Sequence, residues 1–193
     1  MDEPMSITPI DLASRAGELL DIQAQAFGLT DDDIAVRRQI VARHASYPGV
    51  RAFGALLTEG PHAGRAVGFG YGMPNNRSHW WSTVIQPYLE RVGGADWLDE
   101  AFAITELHVL PGFQRRGLGR ALLSRLCAGA DSKRSILSAV QGDTPARHLY
   151  RSLGYNDLVG PVHFPGAAQP YVVMGAPLPL PGLPRAAGTD PRP

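Results

Sequence analysis

Cysteine is almost missing from this chain of 193 residues: Cys127 stands alone, so no internal disulfide staples the fold. It lies in an apolar, helix-like stretch and reads as core rather than as a nucleophile. Net charge is missing too, with 18 lysines and arginines against 18 aspartates and glutamates. A balanced chain has no bulk field to draw it to nucleic acid or to an anionic membrane. No apolar run approaches the roughly 18 residues of a membrane span. The opening Met1-Asp2-Glu3-Pro4 is acidic where a secretory leader would be basic. These absences predict a soluble, cytoplasmic protein. Internal repeats are absent, and none of the six histidines has metal-ligand spacing to cysteine or acidic residues, so no metal is expected. What remains is 44% hydrophobic content, enough for one domain with a real core and short for two.

The informative stretch is Gln114-Arg115-Arg116-Gly117-Leu118-Gly119-Arg120. A strand-like segment, 102–109, precedes it across a Leu-Pro-Gly-Phe turn. Helix-like Gly119 to Ala128 follows, with Leu122, Leu123 and Leu126 along one face. A basic, glycine-containing turn that opens a helix presents unpaired backbone N–H groups at the positive end of the helix dipole, which suits a phosphate. Gly117 and Gly119 carry no Cβ to hold a pyrophosphate away from the backbone. Two commoner phosphate sites are excluded. There is no G-x-x-x-x-G-K-[ST], and Leu122 stands where a dinucleotide fingerprint needs its third glycine.

A second segment runs from Gly142 to Tyr155. It reads as a short helix, capped by Asp143 or Thr144, with Pro145 in its first turn and Gly154 at its end. Between the two lies a strand-like stretch, 135–140. The first segment, Q-x-x-G-x-G after a strand carrying L-x-V, resembles motif A of the GNAT family, the Gcn5-related N-acetyltransferases. The second resembles that family's motif B, with Ala146, Leu149, Tyr150, Gly154 and Tyr155 in register. Together they cover residues 102–155, in the family's order.

The rest of the chain is read from periodicity and turn residues. A short strand over 5–8 precedes helices over 10–27 and 31–45. A hairpin follows, built from 51–58 and 66–72. Residues 73–101 are less regular and rich in tryptophan. Closing strands are expected over 155–164 and 171–176. The resemblance implies an α/β (α+β mixed sheet) fold of the GNAT acyl-CoA acyltransferase type. It would have six or seven mostly antiparallel strands, with helices on both faces. The domain is expected over 1–177, followed by a Pro/Gly-rich, unstructured tail over 178–193.

The resemblance also implies the chemistry, acetyl transfer from acetyl-CoA to an amine. Leu107, His108 and Val109 would bond pantetheine through their main chain, with the Leu107 N–H polarising the thioester carbonyl. Gln114, Arg115, Arg116, Gly117, Leu118, Gly119 and Arg120 would hold the pyrophosphate. Tyr150 is the candidate acid, because a phenol of pKa near 10 stays protonated at neutral pH and can serve a departing thiolate. Its other reading is a tyrosine that packs its helix onto the sheet. Glu106 is the candidate base or amine-binding group, against a purely structural salt bridge. Strand alternation puts Ile104, Glu106 and His108 on one face, so His108 could share a proton relay with Glu106 or be structural.

Two departures from the family pattern stand out. Asp143 replaces the usual asparagine of motif B. Ser138 stands where some protein N-terminal acetyltransferases carry a glutamate, which throws weight onto Glu106.

The acceptor is expected to be a small-molecule amine. His79, Trp80, Trp81, Tyr88 and Trp97, with Glu90, Asp96, Asp99 and Glu100, could form a pocket for a cationic amine, and Trp80 and Trp81 are its candidate residues. The competing reading is an extra helix over 82–92, pinned by its tryptophans to the domain or to a second copy in a homodimer. A protein amine as acceptor, or a non-catalytic acyl-CoA-binding module on the same fold, are the alternatives to a small-molecule acetyltransferase.

Overall fold

The computed structural model describes residues 4–181. Seven strands form one mixed sheet in the order β1-β2-β3-β4-β5-β7-β6. They are β1 (Met5–Pro9), β2 (Arg51–Leu57), β3 (Ala66–Pro74), β4 (Ala101–Val109), β5 (Arg134–Val140), β6 (Asn156–Val162) and β7 (Tyr171–Pro177). Among the described residues five α-helices are interspersed with them: α1 (Ala16–Phe27), α2 (Asp31–Ala45), α3 (Trp80–Arg91), α4 (Leu118–Ala128) and α5 (Pro145–Ser152). β1–β2, β2–β3, β5–β7 and β6–β7 pair antiparallel, whereas β4 runs parallel to β5 where Ala101–Ala103 face Arg134–Ile136. No helix among the described residues is long and apolar enough to cross a membrane.

The chain divides into two compact units, each discontinuous in sequence. The first comprises residues up to Met73 and Ile104–Leu126. Its interior holds Leu19, Leu20 and Ile22 of α1, Phe53 and Leu57 of β2, Val67 and Phe69 of β3, and Leu122, Leu123 and Leu126 of α4, all buried. α2 begins with a capping box: Thr30 Oγ1 accepts from the Asp33 N–H at 3.3 Å, and Asp33 Oδ2 accepts from the Thr30 N–H at 3.0 Å. α1 starts at Ala16, six residues after the expected position. The Asp11 side chain accepts from the Ser14 N–H at 2.6 Å, a local turn that competes with the helix.

The second unit comprises Pro74–Ala103 and the chain from Cys127 on. Its core cluster joins Ile85 and Leu89 of α3 to Ala101 and Ala103 of β4, Ile136 of β5, Val162 of β6 and Val173 of β7. The tryptophan-rich segment therefore supplies core. Trp81, Tyr88 and Trp97 pack against this cluster. A Cβ added at Gly175 would fall 2.6 Å from Trp97 Cζ3, so this position on β7 has room only for glycine. After β7 the chain stays with the domain: the Leu178 N–H donates to the Lys133 carbonyl at 2.9 Å, and Leu180 is buried. The rest of the expected tail, 182–193, lies outside the described residues.

Candidate active site

In the first unit, β4 carries a line of polar side chains through an apolar strand. As alternation requires, Glu106 and His108 share a face. His108 Nε2 lies 2.6 Å from Glu106 Oε2, with the histidine 6% and the glutamate 22% exposed. Oε1 of the same carboxylate accepts from Arg37 Nη1 on α2 at 3.5 Å. Gln23 of α1, itself buried, adds a side-chain hydrogen bond. Burial is the largest single influence on Glu106 and works against its charge. The bond and charge of His108, then Arg37 and Gln23, together outweigh it and hold the carboxyl below its ordinary range. Glu106 is thus a stable anion at neutral pH.

The surroundings extend this cluster. Tyr71 of β3 is buried, and its hydroxyl lies 3.1 Å from His44 Nδ1 of α2. Burial, then the negative charge of Glu106, pushes the Tyr71 phenol far above its ordinary pKa, against a smaller pull from Arg37. The His108 ring is met edge-on by Phe27, centroids 5.2 Å apart, and obliquely by Phe69 at 5.4 Å. Phe27 nevertheless keeps 54% of its surface exposed. Gln23, Arg37, His44 and Tyr71 were not singled out in the sequence. Gln23 had left a signal, a glutamine on the apolar stripe of α1; the others had none, because their partner is on a distant strand.

β4 ends at Val109, and a 3₁₀ turn, Pro111–Phe113, leads into the glycine loop. The Gln114 side chain donates to the Val109 carbonyl at 3.0 Å, tying the loop back to the strand. Arg115 adopts φ 63° and Gly117 φ 79°, two left-handed residues flanking Arg116. This alternation turns successive N–H groups toward one side, as anion-binding nests do. The first backbone bond of α4 joins the Ala121 N–H to the Gly117 carbonyl at 3.0 Å, so the N–H groups of Leu118 and Gly119 belong to the first turn, which has no intrahelical acceptors for them. Nothing lies within 4 Å of a Cβ built on Gly117. The Arg116 guanidinium sits over the Phe113 ring at 5.2 Å from its centroid. A pyrophosphate fits what these residues offer: an open backbone cradle, arginines and a helix N-terminus.

In the second unit, Tyr150 lies on α5 and is buried, its ring 5.9 Å from that of Tyr155. Thr144 caps α5 by accepting from the Arg147 N–H at 3.3 Å. Asp143, the other expected cap, instead pairs with His148 at 2.7 Å on the surface. Trp81 Nε1–H donates to Ser138 Oγ at 3.2 Å, so the hydroxyl at this β5 position is spent on an indole. Trp80 is 57% exposed, its ring centroid 6.0 Å from that of Phe164. Three of the four acidic side chains of this segment have partners as well. Glu90 accepts from Gln86, Asp99 holds Arg77 through both oxygens, and Glu100 pairs with Lys133.

The Acetyltransferase (GNAT) domain family matches residues 59–157, half of the chain. The chain belongs to the GNAT acetyltransferases. A curated relative, the GCN5-like protein acetyltransferase Rv2170 of Mycobacterium tuberculosis, is 30% identical over 91% of this chain and 98% of its own length. Among solved structures of GNAT proteins, Arabidopsis thaliana NAA60 in complex with acetyl-CoA superposes with a TM-score of 0.65. It is 16% identical and covers 91% of this chain and 99% of its own. The ribosomal-protein-S18-alanine N-acetyltransferase of Escherichia coli superposes with a TM-score of 0.63. It too is 16% identical, over 90% of this chain and 94% of its own. The mixed sheet and helix order of this chain are those of the GNAT fold.

Proposed function

We propose that this GNAT chain transfers an acetyl group from acetyl-CoA to a primary amine by direct attack in a ternary complex. One observation carries the reading: β4 bears a carboxylate–imidazole pair and runs straight into an open glycine loop at the head of α4. A thioester donor with a pyrophosphate needs both. In the reaction, the neutral amine nitrogen bonds to the carbonyl carbon and the C–S bond breaks. The amine's surplus proton passes to the Glu106–His108 pair, and Tyr150 gives a proton to the departing thiolate. Main-chain groups of Leu107, His108 and Val109 would hold pantetheine, and the Leu107 N–H would polarise the carbonyl. Residues 114–120 would take the pyrophosphate. With its carboxyl held low, Glu106 is a weak base on its own; as an anion 2.6 Å from Nε2 it stabilises the charge that His108 gains on taking the amine's proton.

A small-molecule amine is the first acceptor class for this chain. The curated relative's name gives a specific reason for a second, an amine on a protein. The exposed Trp80 is the aromatic residue left to meet an acceptor, since Trp81 is engaged by Ser138.

The test is thermal unfolding with acetyl-CoA, with CoA, and with Arg116→Glu, followed by thiol release with amines. A ligand that binds the native state raises the melting temperature by mass action. A rise with acetyl-CoA that the charge reversal abolishes, followed by amine-dependent thiol release, is the expected result. No rise at saturating acetyl-CoA defeats the proposal.

A further inference from the structure

Arg37 is held only loosely to the Glu106 cluster. The carboxylate already has His108 at 2.6 Å and the buried Gln23, while Arg37 reaches it at 3.5 Å, the outer limit of a hydrogen bond. A guanidinium carries five N–H donors in a planar fork. Two other forks in the chain are held more closely. Arg77 grips Asp99 at 2.7 and 2.8 Å and the Ala95 carbonyl at 3.1 Å, and Arg147 holds both Asp157 and the Gly142 carbonyl. Arg37 makes one long bond and leaves 36% of its side chain exposed. Asp33, one turn earlier on α2, is the other acidic group near it, but its carboxylate is occupied by Thr30 in the capping box.

Resting on the reading of Glu106 and His108 as the place where the acceptor's nitrogen is handled, we infer that Arg37 is a specificity-determining residue. The acceptor it selects is an amine with a carboxylate a few bonds away, as in an amino acid or beside an acidic residue of a peptide. The cluster's charges point this way. Glu106 and Arg37 cancel, so no net negative field favours a polycation. An acceptor bearing both an amine and a carboxylate instead places the amine toward the β4 pair and its anion on the unused fork, where a bidentate geometry is available. Phe27, packed on His108 and more than half exposed, offers an apolar surface beside them. The tryptophan segment offers a cationic acceptor much less, because Glu90, Asp99 and Glu100 are already paired.

The experiment compares matched acceptors that differ only in the anion: the amino acids pooled against their carboxamides, and a lysine peptide with adjacent glutamate against the same peptide with glutamine. Thiol release gives kcat and KM for each with the wild-type protein, Arg37→Gln, Arg37→Lys and Glu106→Gln. The expected result is a preference for the carboxylate member of at least one pair by about tenfold or more in kcat/KM, the scale of a charge-assisted hydrogen bond. That preference should lie mainly in KM, collapse toward one in Arg37→Gln and recover only partly in Arg37→Lys. Equal use of both members, turnover of neither, or an equal loss on both in Arg37→Gln overturns the inference; in the last case Arg37 only steadies Glu106. Glu106→Gln separates the two readings. A fall in kcat on both members supports the base assignment, whereas undiminished turnover defeats that assignment and leaves the carboxylate ratio to report on Arg37.

Discussion

His108 and Glu106 stand two residues apart on β4 and meet at 2.6 Å between Nε2 and Oε2, with Arg37 and Gln23 closing the carboxylate's remaining sides. This arrangement lowers the Glu106 pKa in the folded state, which makes its contribution to stability depend on pH. The sign follows from proton uptake. The unfolded carboxyl binds a proton near its ordinary value of 4.5, and the folded one only at lower pH. The stabilisation is therefore complete above 4.5 and disappears as pH falls through the folded value. Glu106→Gln has no such dependence. Urea unfolding of both proteins at neutral pH and at successively lower pH should show the wild type losing ground to the variant below 4.5. A stability difference that stays constant across that range would contradict the assignment.

The same pair predicts a failure of additivity. If Glu106 stabilises the charge that His108 gains on taking the amine's proton and neither works alone, each single substitution should remove most of the pair's effect. Glu106→Gln and His108→Gln should each lower kcat by about 10²-fold or more, the range of acid–base catalysis. The double variant should lose little beyond either single one. Losses that multiply would mean that the two side chains act independently, with His108 reduced to packing between Phe27 and Phe69.

Gly117 isolates the backbone part of the proposed pyrophosphate cradle. Its φ of 79° disfavours any residue with a Cβ, yet nothing stands within 4 Å to clash with one. Gly117→Ala should therefore cost about 1–2 kcal/mol of stability through strain alone. It should also raise the KM for acetyl-CoA, because the methyl intrudes where the backbone would meet a phosphate. Chemical denaturation and steady-state kinetics read the two effects separately. A loss of stability with an unchanged KM would remove this residue from the cofactor site.

Much of this architecture was legible because it is local. The strand–loop–helix of motif A and the Pro145–Ser152 helix follow from turn residues, caps and periodicity, and strand alternation alone places Glu106 and His108 on one face of β4. The less legible parts have long-range causes. The helix over 82–92 was one of two readings of the tryptophan segment, and what decides for it is the packing of Ile85 and Leu89 on Val162 and Val173 far along the chain, which window periodicity cannot see. Ser138 gives no hint in sequence that Trp81 will claim its hydroxyl. Arg37 reads as an ordinary surface arginine of an acidic-to-basic helix until β4 lies beneath it. The late start of α1 is a local contest that the Asp11–Ser14 turn wins over the helix expected from Ile10.

Tyr150 sets packing against chemistry most sharply. It is buried on α5 beside Tyr155, so its ring has structural work whatever its hydroxyl does. Tyr150→Phe keeps the ring and deletes only the oxygen. If the hydroxyl donates to the leaving thiolate, kcat should fall by about 10²-fold, the lower end of general acid catalysis, while KM for acetyl-CoA and the melting temperature change little. If the hydroxyl is only a structural partner, the variant should instead lose about 1 kcal/mol of stability and keep its kcat. The loss should shrink as pH rises above the thiol's own pKa of about 8.5, because a thiolate that is stable in solution needs no proton to leave. A kcat deficit that is the same at all pH values would point to misplacement of the thioester rather than to a missing proton. Measuring kcat, KM and melting temperature for this one variant across neutral and alkaline pH therefore decides between the two roles of Tyr150.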